Sequence, residues 1–268
     1  MTAPSRNEAP APRPASQDAS AQPAAGLARA DGPDTGAGRA RPGGLLVCVA
    51  ALCGGAGATT LALLMGLACA RHGGAALVCD TGGPSGGLAA HARISSRSSL
   101  AHLSRLVAAG RPVDRRDVSA AMGERLRIIA RPPHEHDAGD EGGLRRLLGD
   151  ARAAHRLTVV DCAAPGTAAD RLALALATHT IRVLPASPTG LRRAEPALHA
   201  ARAPTGRELI VARRDSGRPA PVRALRELAD HRGAPLVLMP AIADLDDAPA
   251  ALSAADVTLQ AIATFLAR

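Results

Sequence analysis

Residues 45–60 read LLVCVAAL-Cys53-Gly54-Gly55-Ala56-Gly57-Ala58-Thr59-Thr60, and an apolar stretch, LALLMGLACARHG, follows at 61–73. A short apolar run, a glycine-rich turn and a helical pattern come in that order. Such a turn lets backbone N–H groups converge on a phosphate at a helix N-terminus, where the helix dipole adds to the attraction and the glycines permit close approach. Gly54, Gly55, Ala56, Gly57, Ala58, Thr59 and Thr60 are therefore the expected anion-binding residues, with the Thr59 hydroxyl placed to hold Mg²⁺.

Outward from the turn, the texture repeats. Short apolar runs at 45–52, 75–79, 125–130, 157–161, 180–184, 208–212 and 235–239 have the length and branching of strands buried on both faces. Helical patterns lie between or after them near 59–72, 98–109, 141–154, 168–177, 189–201, 219–231 and 256–267. The alternation predicts an α/β fold, a doubly wound three-layer sandwich around a mostly parallel sheet of about seven strands. Ligands of such folds bind beyond the carboxyl ends of the strands.

Residues 1–43 differ. They are rich in Pro, Ala and Gly and almost free of branched apolar side chains, so they are expected to form a disordered tail preceding a folded domain over 44–268.

Composition excludes several function classes. The chain has 268 residues, of which 47% are hydrophobic, enough for a sizeable core. Phe265 is its single aromatic residue, which removes aromatic stacking platforms and cages. There is no lysine, so all 32 basic residues are arginine and the net charge is +8. These arginines are spread out, and the adjacent pairs Arg192, Arg193 and Arg213, Arg214 read as solvated surface more readily than as a nucleic-acid patch.

Five cysteines, Cys48, Cys53, Cys69, Cys79 and Cys162, sit mostly in apolar runs without C-x-x-C spacing, which fits buried thiols in a reducing cytoplasm. Cys53, near a helix start, is also a candidate reactive thiol. His134 and His136 are too isolated to suggest zinc. No apolar stretch reaches the ~18 residues of a spanning helix. The last helix, with Val257, Leu259, Ile262, Phe265 and Leu266, lacks a basic face and reads as core packing, so membrane contact would be peripheral, at the inner face.

The turn resembles the KGGxGK[ST][ST] loop of the deviant Walker A P-loop ATPases of the MinD/ParA class, matching at Gly54, Gly55, Gly57, Thr59 and Thr60. Cys53 and Ala58 stand where that family has its two lysines. A charge-assisted contact to phosphate contributes about 1.5 to 3 kcal/mol, so their loss implies binding weaker by tens- to thousands-fold. The stretch ALVCDTGGPSGGL at 76–88 is similar to the family's D-x-D segment, with Asp80 at its first acid and Gly82 at the second, the one that orients the attacking water. LTVVDCAAP at 157–165 resembles the Walker B strand and puts Asp161 within reach of Mg²⁺. RVLPASPTG and LVLMPAIADL resemble the segments flanking the base, around Pro185 and Pro240.

Within the class, the lysine-less loop, GGPSGGL and RLRIIARP look most like the CpaE/TadZ-type, septum-site-determining (Ssd-like) proteins. That resemblance implies a spatial organiser of a Flp/Tad pilus, secretion or septum-site assembly that works through protein partners. It implies ATP or ADP with Mg²⁺ as a weak ligand at Thr59, Asp80 and Asp161, no catalytic residue, a homodimer as one accessible state and nucleic acid as an improbable partner. Two alternatives stand beside it: a slow ATP-hydrolysing monomer–dimer switch, with another arginine standing in for the lysines, and a ParA-like non-specific DNA-binding partitioning factor.

Overall fold

The computed structural model describes residues 43–81, 87–95, 98–113, 125–132, 139–162, 165–201, 203, 206–242 and 245–268, with the backbone of 119–120. In chain order the elements are β1 (Leu45–Ala51), α1 (Ala58–Arg71), β2 (Ala76–Asp80), α2 (Gly87–Ala92), α3 (Leu100–Ala108), β3 (Ser119–Ala120), β4 (Leu126–Ile129) and α4 (Glu141–Ala154). The second half adds β5 (Leu157–Asp161), α5 (Ala168–Leu176), β6 (His179–Pro185), α6 (Pro188–Ala200), β7 (Arg207–Arg213), α7 (Val222–Arg232), β8 (Leu236–Met239) and α8 (Ala248–Leu266).

The sheet order is β3-β4-β2-β5-β1-β6-β7-β8. Seven strands run parallel, as expected; β3 is an additional two-residue edge strand, antiparallel to β4. Side chains alternate across the sheet because strand periodicity is two. On β1, Val47 and Val49 face a core shared with α1, α2 and α8, while Leu46, Cys48 and Ala50 face the core under α3, α4 and α5. A third cluster joins Leu52, Leu184 and Ile210 to α6 and α7. Helices thus cover both faces, which is why the strand residues are mostly apolar, with Thr158, Thr180 and Arg182 as buried exceptions.

The topology fixes where a ligand can sit. From β1 the chain moves through α1 toward β2, whereas from β6 it moves through α6 toward β7, on the opposite side of β1. The carboxyl ends of β1 and β6 therefore flank a switch point, where such sheets open a crevice.

Two helices depart from the sequence reading. α8 begins at Ala248, not near 256: the Asp247 side chain accepts a hydrogen bond from Ala250 N at 3.0 Å, and Pro249 falls in the first turn, where its missing N–H costs nothing. Ala251, Leu252 and Ala255 of this extra segment are buried. Along the same helix Ile262 is buried and Leu259, Phe265 and Leu266 pack on the core, but Val257 is 80% exposed and takes no part in it. α2 lies where no helix was expected, being a six-residue segment too short to show a period. Contrary to the reading that no apolar stretch reaches spanning length, α8, with 19 residues, is the one described helix long and apolar enough to span a membrane; its inner face packs on α1 and β8.

Candidate functional site: an open glycine turn at the sheet's carboxyl edge

The turn after β1 is built on two left-handed glycines. Gly55 has φ +75° and Gly57 has φ +94°, conformations that cost a side-chain-bearing residue about 1–3 kcal/mol. Gly57 is the N-cap of α1, and no side chain caps that helix; its first turn also holds no acidic residue. By contrast Ser99, Asp140, Thr167, Ser187 and Asp247 each accept a hydrogen bond from the first turn of α3, α4, α5, α6 and α8. Among the described residues the start of α1, like that of α7, thus has no side-chain cap, and the dipole leaves its orphan N–H groups partly positive.

Gly54 and Gly55 are exposed, and a Cβ built on Gly55 would meet nothing within 4 Å. Ala56 and Ala58 turn their methyl groups into the core, at 1% and 4% exposure, so these positions offer only backbone to a ligand. Thr59 and Thr60 are half-buried, and the Thr59 hydroxyl oxygen lies 3.4 Å from where a Cβ on Gly87, at the start of α2, would stand. The seven expected residues are thus contiguous over the turn and the first residues of α1.

The two aspartates come together at adjacent strand ends. Asp80 and Asp161 are register partners on β2 and β5, and both are buried. Asp80 Oδ1 accepts from Arg131 N at 2.9 Å, so this carboxylate also anchors the chain leaving β4. Thr81 N donates to Asp161 O at 3.1 Å, which ties the end of β2 to that of β5. Thr59, Asp80 and Asp161 are oxygen donors of the kind Mg²⁺ accepts. Gly82, His134 and His136 lie outside the described residues.

Cys53 corrects one expectation. Its thiol is pushed above the ordinary value because it is buried, an effect that Arg193 nearby only partly offsets, so it lacks the lowered pKa of a reactive cysteine. Burial likewise raises Cys69 and Cys79, a hydrogen bond with Cys48 and then burial raise Cys162, and all five cysteines are free.

Of the arginine pairs, Arg192, Arg193 and Arg214 are exposed, as expected for solvated surface, and Arg213 is half-buried. Arg213 ends β7 and reaches across two strands, about 10 Å at ordinary strand spacing, to lie on Gly57: a Cβ there would stand 2.8 Å from Arg213 Cδ. Arg193, on α6, brings Nη2 to 3.7 Å from the position a Gly54 Cβ would take. Next to them an open cavity of about 360 Å³ is lined by Arg214, Asp215, Arg218, Pro219, Pro240 and Ala241, among others.

Comparison with solved structures places this arrangement among known folds. The chain is similar to a ParA family ATPase from Chlorobium tepidum, with a TM-score of 0.65, 19% identity and coverage of 82% of this chain and 92% of that one. The fold is that of the ParA and MinD P-loop ATPases. MinD of Aquifex aeolicus shares that ParA/MinD fold with it at a TM-score of 0.57 and 16% identity, over 75% of this chain and 84% of that one. A plasmid partition protein of Borrelia burgdorferi bound to AMPPNP does so at a TM-score of 0.54 and 13% identity, over 76% and 90%. No protein-family model matches the chain. No curated protein is similar to it in sequence. At these identities the likeness is one of fold, and the ParA/MinD fold puts the glycine turn after β1 at its carboxyl edge here as the topology requires.

Proposed function

We propose that this chain is a nucleotide-binding spatial organiser of the MinD/ParA class, of CpaE/TadZ/Ssd type, that helps to place a Flp/Tad pilus, secretion or septum-site assembly. It acts through protein contacts from a degenerate nucleotide site that holds ATP or ADP weakly, as a structural ligand, without measurable turnover. The observation that carries this reading is the turn at 54–60: open, glycine-built, uncapped by any side chain, and without lysine at 53 or 58.

The parts have separate tasks. The N–H groups of the turn and of the start of α1 bind and orient phosphate oxygens. Thr59, Asp80 and Asp161 would hold Mg²⁺, which when bound neutralises phosphate charge. With Gly82 where the family carries an acid, that position offers no side chain to orient water. The similarity to a partition protein bound to AMPPNP supports the nucleotide assignment, and those to ParA and MinD proteins support positioning as the activity.

A fluorescent fusion of the full chain in its host tests the organiser role. Focal accumulation at a pole or septum, with co-purification of a component of that machine, is expected; uniform fluorescence contradicts it. The arginines beside the turn favour one second reading, a slow ATP-driven monomer–dimer switch. Phosphate release above the buffer blank at millimolar ATP·Mg²⁺ supports that alternative, and release at the blank rate removes it.

A further inference from the structure

We propose that Arg193 and Arg213 supply the turn with the positive charge that lysines at 53 and 58 would bring, so that a bound phosphate is clamped between α1 and two guanidinium groups from α6 and β7. This rests on the nucleotide reading above. It adds the residues that make a lysine-less turn able to hold a polyphosphate.

Four observations converge. First, both side chains lie against the turn itself, Arg193 at Gly54 and Arg213 at Gly57. Second, Arg213 packs closely on the turn, its Cδ lying 2.8 Å from where a Cβ on Gly57 would stand. Third, the guanidinium of Arg213 is incompletely used. Its Nε is buried with no hydrogen-bond partner among the described residues, and it lies 3.4 Å from the Cβ position of Gly57. A buried N–H without an acceptor is rare, and an oxyanion seated on the turn supplies one. Fourth, the one ion pair of Arg213 among the described residues, to Asp215 at 3.4 Å, is long and about one-third exposed, so an incoming phosphate competes with it readily.

Arginine suits this task. Its planar fork presents paired N–H donors that match two oxygens of a phosphate, and it keeps its charge in any surroundings. The arrangement also has a structural consequence. The turn belongs to the β1–α1 half of the sheet and the arginines to the β6–β8 half, so a phosphate held by both closes the crevice between β1 and β6.

The test is calorimetric titration of ATP with Mg²⁺, and separately of inorganic triphosphate, into the full chain. Arg193→Met and Arg213→Met keep the apolar stems and remove the charge. Each is expected to weaken both ligands about tenfold or more, and the double variant to abolish measurable binding. Asp215→Asn, which frees Arg213, is expected to tighten both severalfold. Binding by the double variant equal to wild type overturns the clamp and leaves the nucleotide reading intact, as does tighter binding on removing Arg213. Failure of wild type to bind either ligand at millimolar concentration removes the nucleotide reading and the clamp with it. Should Arg213→Met fail to fold, Asp215→Asn decides: tightening supports the clamp, and unchanged affinity overturns it.

Discussion

Arg213 and Gly57 are shaped to each other across the carboxyl edge of the sheet. The side chain that ends β7 crosses β6 to rest where a Cβ on Gly57 would be, 2.8 Å from its Cδ, on a residue whose φ of +94° already favours glycine. Turn geometry and side-chain packing therefore make the same demand at one position.

That double demand makes Gly57→Ala a sharp probe. The substitution is expected to lower stability by about 1–3 kcal/mol from left-handed strain and to displace Arg213, weakening ATP binding as well. Urea unfolding followed by calorimetry reads both. Unchanged stability together with unchanged affinity would show that Gly57 serves neither purpose.

Two helical glycines separate packing from propensity. A Cβ on Gly66 of α1 would stand 2.4 Å from Val78 Cγ2 and 3.0 Å from Leu126 Cδ1, so Gly66→Ala overpacks the interface with the sheet. The expected cost of about 1–3 kcal/mol outweighs the gain of about 0.5–1 kcal/mol from replacing a helical glycine. Gly149 in α4 is exposed with nothing within 4 Å, and there Gly149→Ala is expected to stabilise by that smaller amount. Denaturant midpoints of opposite sign check the pair of variants, and equal signs would contradict the packing described for α1.

Glu208 holds two arginines below the sheet's second face. It accepts from Arg182 Nε at 3.0 Å and Arg232 Nε at 2.6 Å, and the side chains of Arg182 and Glu208 are only 5% and 8% exposed. Removing one partner of a buried pair leaves uncompensated charge, so Glu208→Gln is expected to cost about 3–5 kcal/mol. A loss under about 1 kcal/mol would place the cluster in solvent-like surroundings.

Acid should destabilise the fold through two histidines. Burial, as the larger effect, lowers the pKa of His155 and of His179, with Arg127 and Arg207 respectively pushing the same way and the Ala151 carbonyl opposing it at His155. A folded-state pKa below the unfolded one means that the unfolded chain takes up more protons. Their stabilising contribution is therefore complete above the ordinary histidine pKa of about 6.5 and is lost as pH falls below it. Urea midpoints between pH 7.5 and pH 5 should fall, and His155→Gln with His179→Gln should flatten the slope; a slope unchanged by both substitutions contradicts this assignment.

How far the sequence carried this picture depends on what each signal measures. Apolar runs such as 157–161 and 208–212 mark strands because burial on both faces leaves no room for polar alternation, and each run is found as a strand. The glycine turn was legible for the same local reason. α8 starts eight residues before the expected helix, with Pro249 in its first turn, where proline is tolerated. β3 escaped because two edge residues carry no period. The placement of Arg193 and Arg213 on the turn is a product of strand order, which brings β7 within two strands of β1, and no local pattern reports strand order.

The most direct test of the central claim is equilibrium dialysis of the full chain against γ-phosphate-labelled ATP with Mg²⁺, reading retained label and released phosphate together. Label enriched on the protein side, with phosphate release at the rate of the buffer blank, is the predicted result. Equal label on both sides at millimolar protein, or release clearly above the blank, would contradict a nucleotide-binding organiser that does not turn its ligand over.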